Sequence, residues 1–192
     1  MKIIKAIILL NFSLLLLSCN NTANKTSDNQ FLITEKGVPG ISLGDTMPDK
    51  LQNYQLVKST IDAGEGNQQP VINILENNLE MLQISFRYNA ETDNYNSIVS
   101  EILVKNIKYK TPEGIAVQST IHDFVTSYPN YVLWYTYISN MYVIQSKNNK
   151  IQFLLDSKGY TGKKDLTQSD MVELTKDDFL TDTKITAIRI YE

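Results

Sequence analysis

His122 and Asp123 form the one adjacent histidine–carboxylate pair in the chain, because the sequence holds a single His. A Ser-His-Asp hydrolase needs a nucleophile, a base and an orienting acid that converge in space, and this pair supplies two of the three. The pair also falls in the first turn of a predicted helix, where Asp123 is the expected capping acid. The pattern therefore favours an exposed polar turn over a catalytic pair, and we predict no catalytic residue and no enzyme.

Two loops contain residue types that bind phosphate or metal in other proteins. Residues 159–164 combine glycines with lysines but lack the spacing and the hydroxyl of a P-loop. Asp62, Glu65 and Asn67 could approach one Ca²⁺, but the glycines and acids around them do not follow an EF-hand pattern. One His and one Cys almost exclude a multi-ligand zinc site and a disulfide framework. We predict no metal, and no cofactor apart from a covalent lipid.

The lipid is expected on Cys19, the one cysteine of the chain. Lys2 and Lys5 precede an apolar run over residues 7–17, as the charged and apolar regions of a secretory leader do. The run ends in Leu-Leu-Ser-Cys, which resembles the lipobox of bacterial lipoproteins, where the Cys is acylated and the leader is cleaved before it. The alternative is a general secretory leader, or a short membrane span, with a chance Cys. We predict a leader over residues 1–18 and an acylated Cys19.

Residues 19–30 are predicted to link this anchor to the folded domain as a flexible tether, because Ala23 is the one apolar residue after the Cys. Loss of Lys2 and Lys5 with the leader leaves 16 basic side chains against 21 acidic ones. Acyl chains rather than a basic patch must then hold the protein on a membrane. The acidic excess also argues against a nucleic-acid partner. We predict the periplasmic face of a bacterial outer membrane.

Residues 128–142 are rich in tyrosine and contain Trp134. If residues 131–137 form a strand, the tyrosines share one of its faces, while Val132 and Trp134 share the other. One interpretation is that Trp134 and Val132 pack under a helix and the tyrosines form cross-strand pairs on the outer face. The functional interpretation is a contact surface for a partner protein or for sugar rings. The candidate contact residues are Tyr131, Tyr135, Tyr137 and Tyr142.

An internal repeat organises the rest of the chain, since residues 40–49 align without a gap with residues 114–123. Each copy predicts a strand, a tight turn and a short helix that begins with a capping box, Thr46…Asp49 and Thr120…Asp123. Strands are predicted over residues 55–61, 71–75, 79–88 and 98–104 after the first helix, and over 131–137, 141–145, 151–155 and 184–191 after the second. We therefore predict an α+β domain over residues 31–192. It consists of two tandem related units, 31–106 and 107–192, each a short helix packed on an antiparallel β-sheet.

Four segments in order carry a resemblance to a known family: Ile33-Thr-Glu-Lys-Gly-Val-Pro-Gly-Ile, Thr111-Pro-Glu-Gly-Ile-Ala-Val, Ser119-Thr120…Asp123 and Lys184-Ile-Thr-Ala-Ile-Arg-Ile. This order resembles the RpoE-regulated (sigma-E, envelope-stress) lipoprotein family, which is defined as a domain of unknown function. The chain departs from the family at Gln118, where members have Gly, and it lacks their Cys pair. The resemblance implies an envelope lipoprotein with stress-linked expression and supplies no reaction or site.

These observations lead to one expected function and one alternative. We expect a non-catalytic, outer-membrane-anchored periplasmic protein that binds another envelope protein or serves envelope maintenance. The alternative is a glycan- or small-ligand-binding module that uses the tyrosine-rich strand 131–137.

Overall fold

The computed structural model describes residues 28–62 and 67–192. The predicted leader, Cys19 and most of the predicted tether lie outside the described residues, as does Glu65 of the weighed calcium loop. None of the helices among the described residues is both long and apolar enough to span a bilayer.

Nine strands form one antiparallel sheet in the order β10-β7-β8-β9-β11-β6-β5-β4-β3. A separate two-stranded hairpin precedes it, with β1 at Gly37–Val38 and β2 at Ile41–Ser42. The strands of the sheet are β3 Gln55–Asp62, β4 Gln68–Glu76, β5 Leu79–Asn89, β6 Asn94–Val104, β7 Tyr131–Thr136, β8 Met141–Ser146, β9 Gln152–Leu155, β10 Met171–Glu173 and β11 Ile185–Tyr191. Every strand predicted downstream of the two helix positions is thus confirmed, with ends that differ by at most a few residues.

The predicted α+β fold of two helix-on-sheet units is wrong. The structure is 49% strand and 9% helical, residues 28–62 and 67–192 contain a single α-helix, and both parts of the chain contribute to the same sheet. The C-terminal strand β11 joins them because it lies between β9 and β6. Ile188 is paired with Phe153 on one side and with Val104 on the other. A pairing between strands so far apart in the chain leaves no trace in local hydrophobic patterns.

The single helix, α1, spans Ile121–Ser127 and begins at the second predicted capping box. The Thr120 side chain accepts a hydrogen bond from the Asp123 backbone N–H at 3.0 Å. The Asp123 carboxylate accepts one from the Thr120 backbone N–H at 2.8 Å. These two bonds satisfy N–H groups that a helix start otherwise leaves unpaired, so the local sequence signal was sufficient here.

The predicted first helix does not form, although Thr46…Asp49 carries the same pattern. Met47, which would open that helix, stands before Pro48, and the proline ring disfavours helical backbone angles in the preceding residue. The segment is extended instead: Thr46 forms a bridge with Ile98. The Met47 N–H donates to the Ser97 carbonyl at 3.0 Å. In the first half of the domain, a loop therefore forms where the helix was predicted.

One continuous core lies between one face of the sheet and a covering layer. The layer consists of the β1–β2 hairpin region, the loop that follows β6, and α1. Phe124 of α1 and Phe153 of β9 are both fully buried, and their rings are 4.8 Å apart, edge to face. Large apolar contacts of this kind supply most of the stability of a helix as short as α1.

Candidate functional site

The tyrosines predicted as a contact surface lie mostly inside the protein. Tyr135 is 6% exposed and Tyr142 is 8% exposed. Tyr131 is half-buried, with its ring 6.3 Å from that of Phe124. Tyr137 is the one exposed member, at 54%. The strand was predicted correctly, but its tyrosine face points toward the core and cannot serve as the contact surface.

Neighbouring polar and aromatic side chains hold the buried tyrosines in place. The Tyr135 hydroxyl donates to the Asn140 side-chain oxygen at 2.8 Å. The Tyr142 ring lies 5.0 Å from that of Tyr160 and 5.5 Å from that of Phe179. Burial raises the pKa of the Tyr142 hydroxyl above its usual value. These contacts make the tyrosine cluster a structural element.

The opposite face of β7 presents an apolar surface to solvent. Val132 is 38% exposed and Trp134 is half-buried, so the interpretation that places them under a helix is also wrong. On the end strand β10, Met171 is 62% exposed and pairs with Thr136, which shares the face of Trp134. We call Val132, Trp134 and Met171 the outer patch.

The outer patch borders a shallow depression of about 450 Å³, which Glu173 also lines. Glu173 is paired with Trp134 across the β10–β7 ladder, so one carboxylate lies at the rim of an otherwise apolar surface. An apolar patch with a polar rim is the usual character of a protein-contact surface. The sequence did not reveal it because β10 has three residues, too few for a periodic pattern.

A second depression, of about 680 Å³, lies over strands β3 to β6. Its apolar lining comes from Met47, Leu56, Ile72, Phe86 and Tyr95, and its polar lining comes from Lys58, Asp49 and several Asn and Ser side chains. We call it the groove. It lies beside the loop that replaces the predicted first helix.

A third depression, of about 460 Å³, is lined by Glu35, Glu113 and Tyr128 among others. Tyr128 is 7% exposed, and its hydroxyl hydrogen-bonds with Thr111 at 2.9 Å and with the Glu113 carboxylate. Burial first, and the Glu113 bond second, raise the pKa of Tyr128 well above its usual value. Glu35 accepts a hydrogen bond from the Lys150 backbone N–H at 2.8 Å. Both carboxylates therefore have structural partners that tie loops together.

The His122–Asp123 pair does not form the geometry of a hydrolase site. Asp123 bonds to Thr120 at the start of α1, so its carboxylate caps the helix instead of orienting the imidazole. These Thr120 bonds, the backbone one first, lower the pKa of Asp123. His122 is exposed beside a depression of about 240 Å³ that Lys176 and Asp177 also line.

Packing explains the two glycines of the loop at residues 159–164. A Cβ on Gly159 would lie 2.1 Å from the Thr183 hydroxyl oxygen, so this glycine allows a close approach to the segment before β11. A Cβ on Gly162 would lie 2.7 Å from the ring of Tyr160. Within residues 28–62 and 67–192, no group of three or more His, Cys, Asp or Glu side chains could hold a metal ion.

Comparison with known proteins shows that the chain is similar in fold to a solved structure. No family model matches the sequence, and no curated protein matches it. Among solved structures, the crystal structure of the uncharacterized protein yfeY from Escherichia coli is similar, with a TM-score of 0.54 and 13% sequence identity. The match covers 83% of this chain and 99% of that chain. At this identity the likeness is one of fold alone.

Proposed function

We propose that this chain is a non-catalytic accessory protein of the bacterial envelope that binds another envelope protein through the outer patch. The observation that carries the proposal is the exposure of Val132 and Met171 on the face that they share with the half-buried Trp134, at the end strand of the sheet. Soluble proteins rarely leave contiguous apolar surface uncovered unless a partner covers it.

The residue types of the outer patch suit this role. Trp is enriched among the residues that dominate binding energy at protein interfaces. Met is unbranched and polarizable, so it adapts to the shape of a partner. Glu173 at the rim favours a partner that places a basic or hydrogen-bond-donating group there.

Anchoring and location complete the proposal. The leader of residues 1–18 and the Leu-Leu-Ser-Cys sequence support an acyl anchor on Cys19. Asn20 stands where an Asp would resemble the inner-membrane retention signal of enteric lipoproteins, and this supports the periplasmic face of the outer membrane. An anchored accessory protein needs no high intrinsic affinity, because confinement to one membrane raises the effective concentration of its partner.

The second candidate function is binding of a small ligand in the groove. Its volume of about 680 Å³ falls in the ~300–1,000 Å³ range that is usual for ligand sites. Its mixed lining fits an amphipathic ligand, whereas burial of Tyr135 and Tyr142 takes away the tyrosine row on which sugar binding was expected to depend.

A crosslinking pull-down from cells tests the first proposal. Chains with a C-terminal tag are compared as wild type, Met171→Lys in the outer patch, and Tyr88→Lys as a matched control. Tyr88 is also exposed, at 49%, but it lies on β5 far from β10 in the strand order. We expect one protein in stoichiometric amount with wild type and Tyr88→Lys, and at least a tenfold loss with Met171→Lys.

Two outcomes would contradict the proposal. Equal recovery with Met171→Lys would mean that the outer patch is not the contact surface. No stoichiometric protein in any sample, together with saturable binding of an apolar fluorescent probe that Ile72→Lys abolishes, would favour the groove and the small-ligand function.

A further inference from the structure

Five exposed apolar side chains lie at one end of the sheet, in loops or, for Leu79, at the start of a strand. They are Leu79 at 64% exposure, Ile107 at 56%, Tyr137 at 54%, Ile138 at 81% and Leu180 at 51%. Tyr137 of this set directly follows Thr136, which pairs with Met171 of the outer patch. We call this set the apolar loops. Isolated exposed apolar residues are normal, but their concentration in the loops of one end is not.

Strand register shows that the loops of Leu79 and Ile107 share this end. Leu82, near the start of β5, is paired with Val104, the last residue of β6. Leu79 therefore begins β5 at the end of the sheet where β6 finishes, and Ile107 follows β6 at that same end.

The same reasoning places the remaining loops there. Val104, the last residue of β6, pairs with Ile188 in the middle of β11, so β11 begins at the end of the sheet where β6 finishes. Leu155 at the end of β9 pairs with both Ile185 and Tyr142. The turn between β7 and β8, which contains Tyr137 and Ile138, is thus at this end. Leu180 is there too, because its N–H donates at 2.9 Å to the carbonyl of Gly159, which lies in the turn just beyond β9.

The described chain also enters the domain at this end. Phe31 packs edge to face on Tyr109 at 5.2 Å, and the Lys108 ammonium lies 5.6 Å from the centre of the Phe31 ring. Lys108 directly follows Ile107. The nine peptide steps from Cys19 to Asp28 reach at most about 32 Å. A lipid on Cys19 would therefore keep the apolar loops close to a bilayer surface.

Charge at this end is nearly balanced. Lys108 pairs with Glu76, and Lys105 pairs with Glu80 at 3.0 Å. The opposite end has polar turns, with Asn89, Asp93 and Asn94 at the β5–β6 turn and Asn148 and Asn149 between β8 and β9. Both ends have polar turns, so the exposed apolar side chains are what distinguishes the end that carries the apolar loops.

We propose that the apolar loops rest in the interfacial zone of the lipid bilayer and orient the domain on it. This inference depends on the proposed lipid anchor, because five separated side chains without one give weak attachment. Tyr and large aliphatic side chains are well suited to the boundary between headgroups and acyl chains. The balanced charge indicates that phospholipid hydrocarbon, not anionic headgroups, is the attractive component.

Site-specific fluorescent labels test the inference on the mature, acylated chain. Cys19 is the one natural cysteine and carries the acyl group in this proposal, so a single introduced thiol can be labelled. Ile107→Cys and Ile138→Cys probe the apolar loops, and Tyr88→Cys is the control at the opposite end. Each labelled protein is mixed with phosphatidylethanolamine–phosphatidylcholine vesicles in which a fraction of the acyl chains is brominated.

We expect brominated lipid to quench the labels at positions 107 and 138 at least twofold more than the label at position 88. Equal quenching at all three positions, or stronger quenching at 88, would overturn the inference. Circular dichroism of each variant checks that the β-sheet is retained.

Flotation of the same samples separates this inference from the anchor on which it depends, with Cys19→Ala as the comparison. If the chain floats with vesicles but the labels at 107 and 138 are not preferentially quenched, the inference is overturned and the proposed anchor stands. If Cys19→Ala changes neither flotation nor the preferential quenching, the membrane contact of the apolar loops stands and the proposed acyl anchor is overturned. A chain that neither floats nor shows preferential quenching overturns both.

Discussion

The two halves of the sheet have similar strand patterns and different covers. Over β7 to β9 the cover is α1, whose Phe124 is fully buried against Phe153. Over β3 to β6 the cover is a loop beside the open groove, where Phe86 is 9% exposed. The two covering segments include residues 40–49 and residues 114–123, which have nearly the same sequence pattern. The difference is consistent with one local feature, the proline at the second predicted helical position, which disfavours helical backbone angles at Met47.

The largest expected effect comes from removing the aromatic ring that closes the second half. Phe124→Ala removes a ring that touches Phe153, Tyr128 and Tyr131, so we expect a loss of about 3–5 kcal/mol in the free energy of unfolding. Urea unfolding followed by circular dichroism measures it. Phe86→Ala is the matched change in the first half, and its cost should be smaller because the ring already borders open space. Equal losses would remove the distinction between the two covers.

A smaller effect tests the two capping patterns against each other. Thr120→Ala removes the side-chain acceptor for the Asp123 N–H, and we expect a cost of about 1 kcal/mol in unfolding free energy. Thr46→Ala alters the matching residue of the first copy, which starts no helix, and should leave stability nearly unchanged. Comparable costs in urea unfolding would indicate that Thr46 has a role that the absence of a helix does not explain.

The smallest effect is a pH dependence located at the same cap. Since hydrogen bonds from Thr120 lower the pKa of Asp123 in the folded state, they stabilise the fold above the carboxyl group's unfolded pKa, about 3.8. That stabilisation is lost as the pH falls through the lower, folded-state value. Asp123→Asn should therefore be less stable than wild type at pH 7, and the difference should shrink as the pH falls below about 3.8. A stability difference that stays constant from pH 7 to pH 3 would contradict this assignment.

The sequence allowed prediction of the strands and of α1 because both have local signatures. Leu82, Ile84 and Phe86 alternate with polar residues in β5, and Thr120 with Asp123 defines a helix start within four residues. The same local rule failed at Thr46, where Pro48 decides the backbone of the residue before it. Proline and its preceding residue therefore deserve more weight than a capping pattern alone.

Local sequence patterns could not predict the single sheet or the outer patch. The partners of β11 depend on pairings with β6 and β9 that no neighbouring residue encodes. The face of β7 was ambiguous because both its faces are apolar: Tyr135 lies on one and Trp134 on the other. Only the position of the covering layer decides which face is buried, and that position depends on α1 and on the whole order of strands.

The central position of β11 has a consequence for how the protein is made. Residues 185–191 are synthesised after the other eight strands of this sheet, yet they join the two meanders into one sheet. Until they are available, β6 and β9 each lack a neighbour, so the nascent chain cannot complete its native structure. In the envelope location that we propose, this order would postpone the final folding of the sheet until β11 has reached the compartment where the protein works.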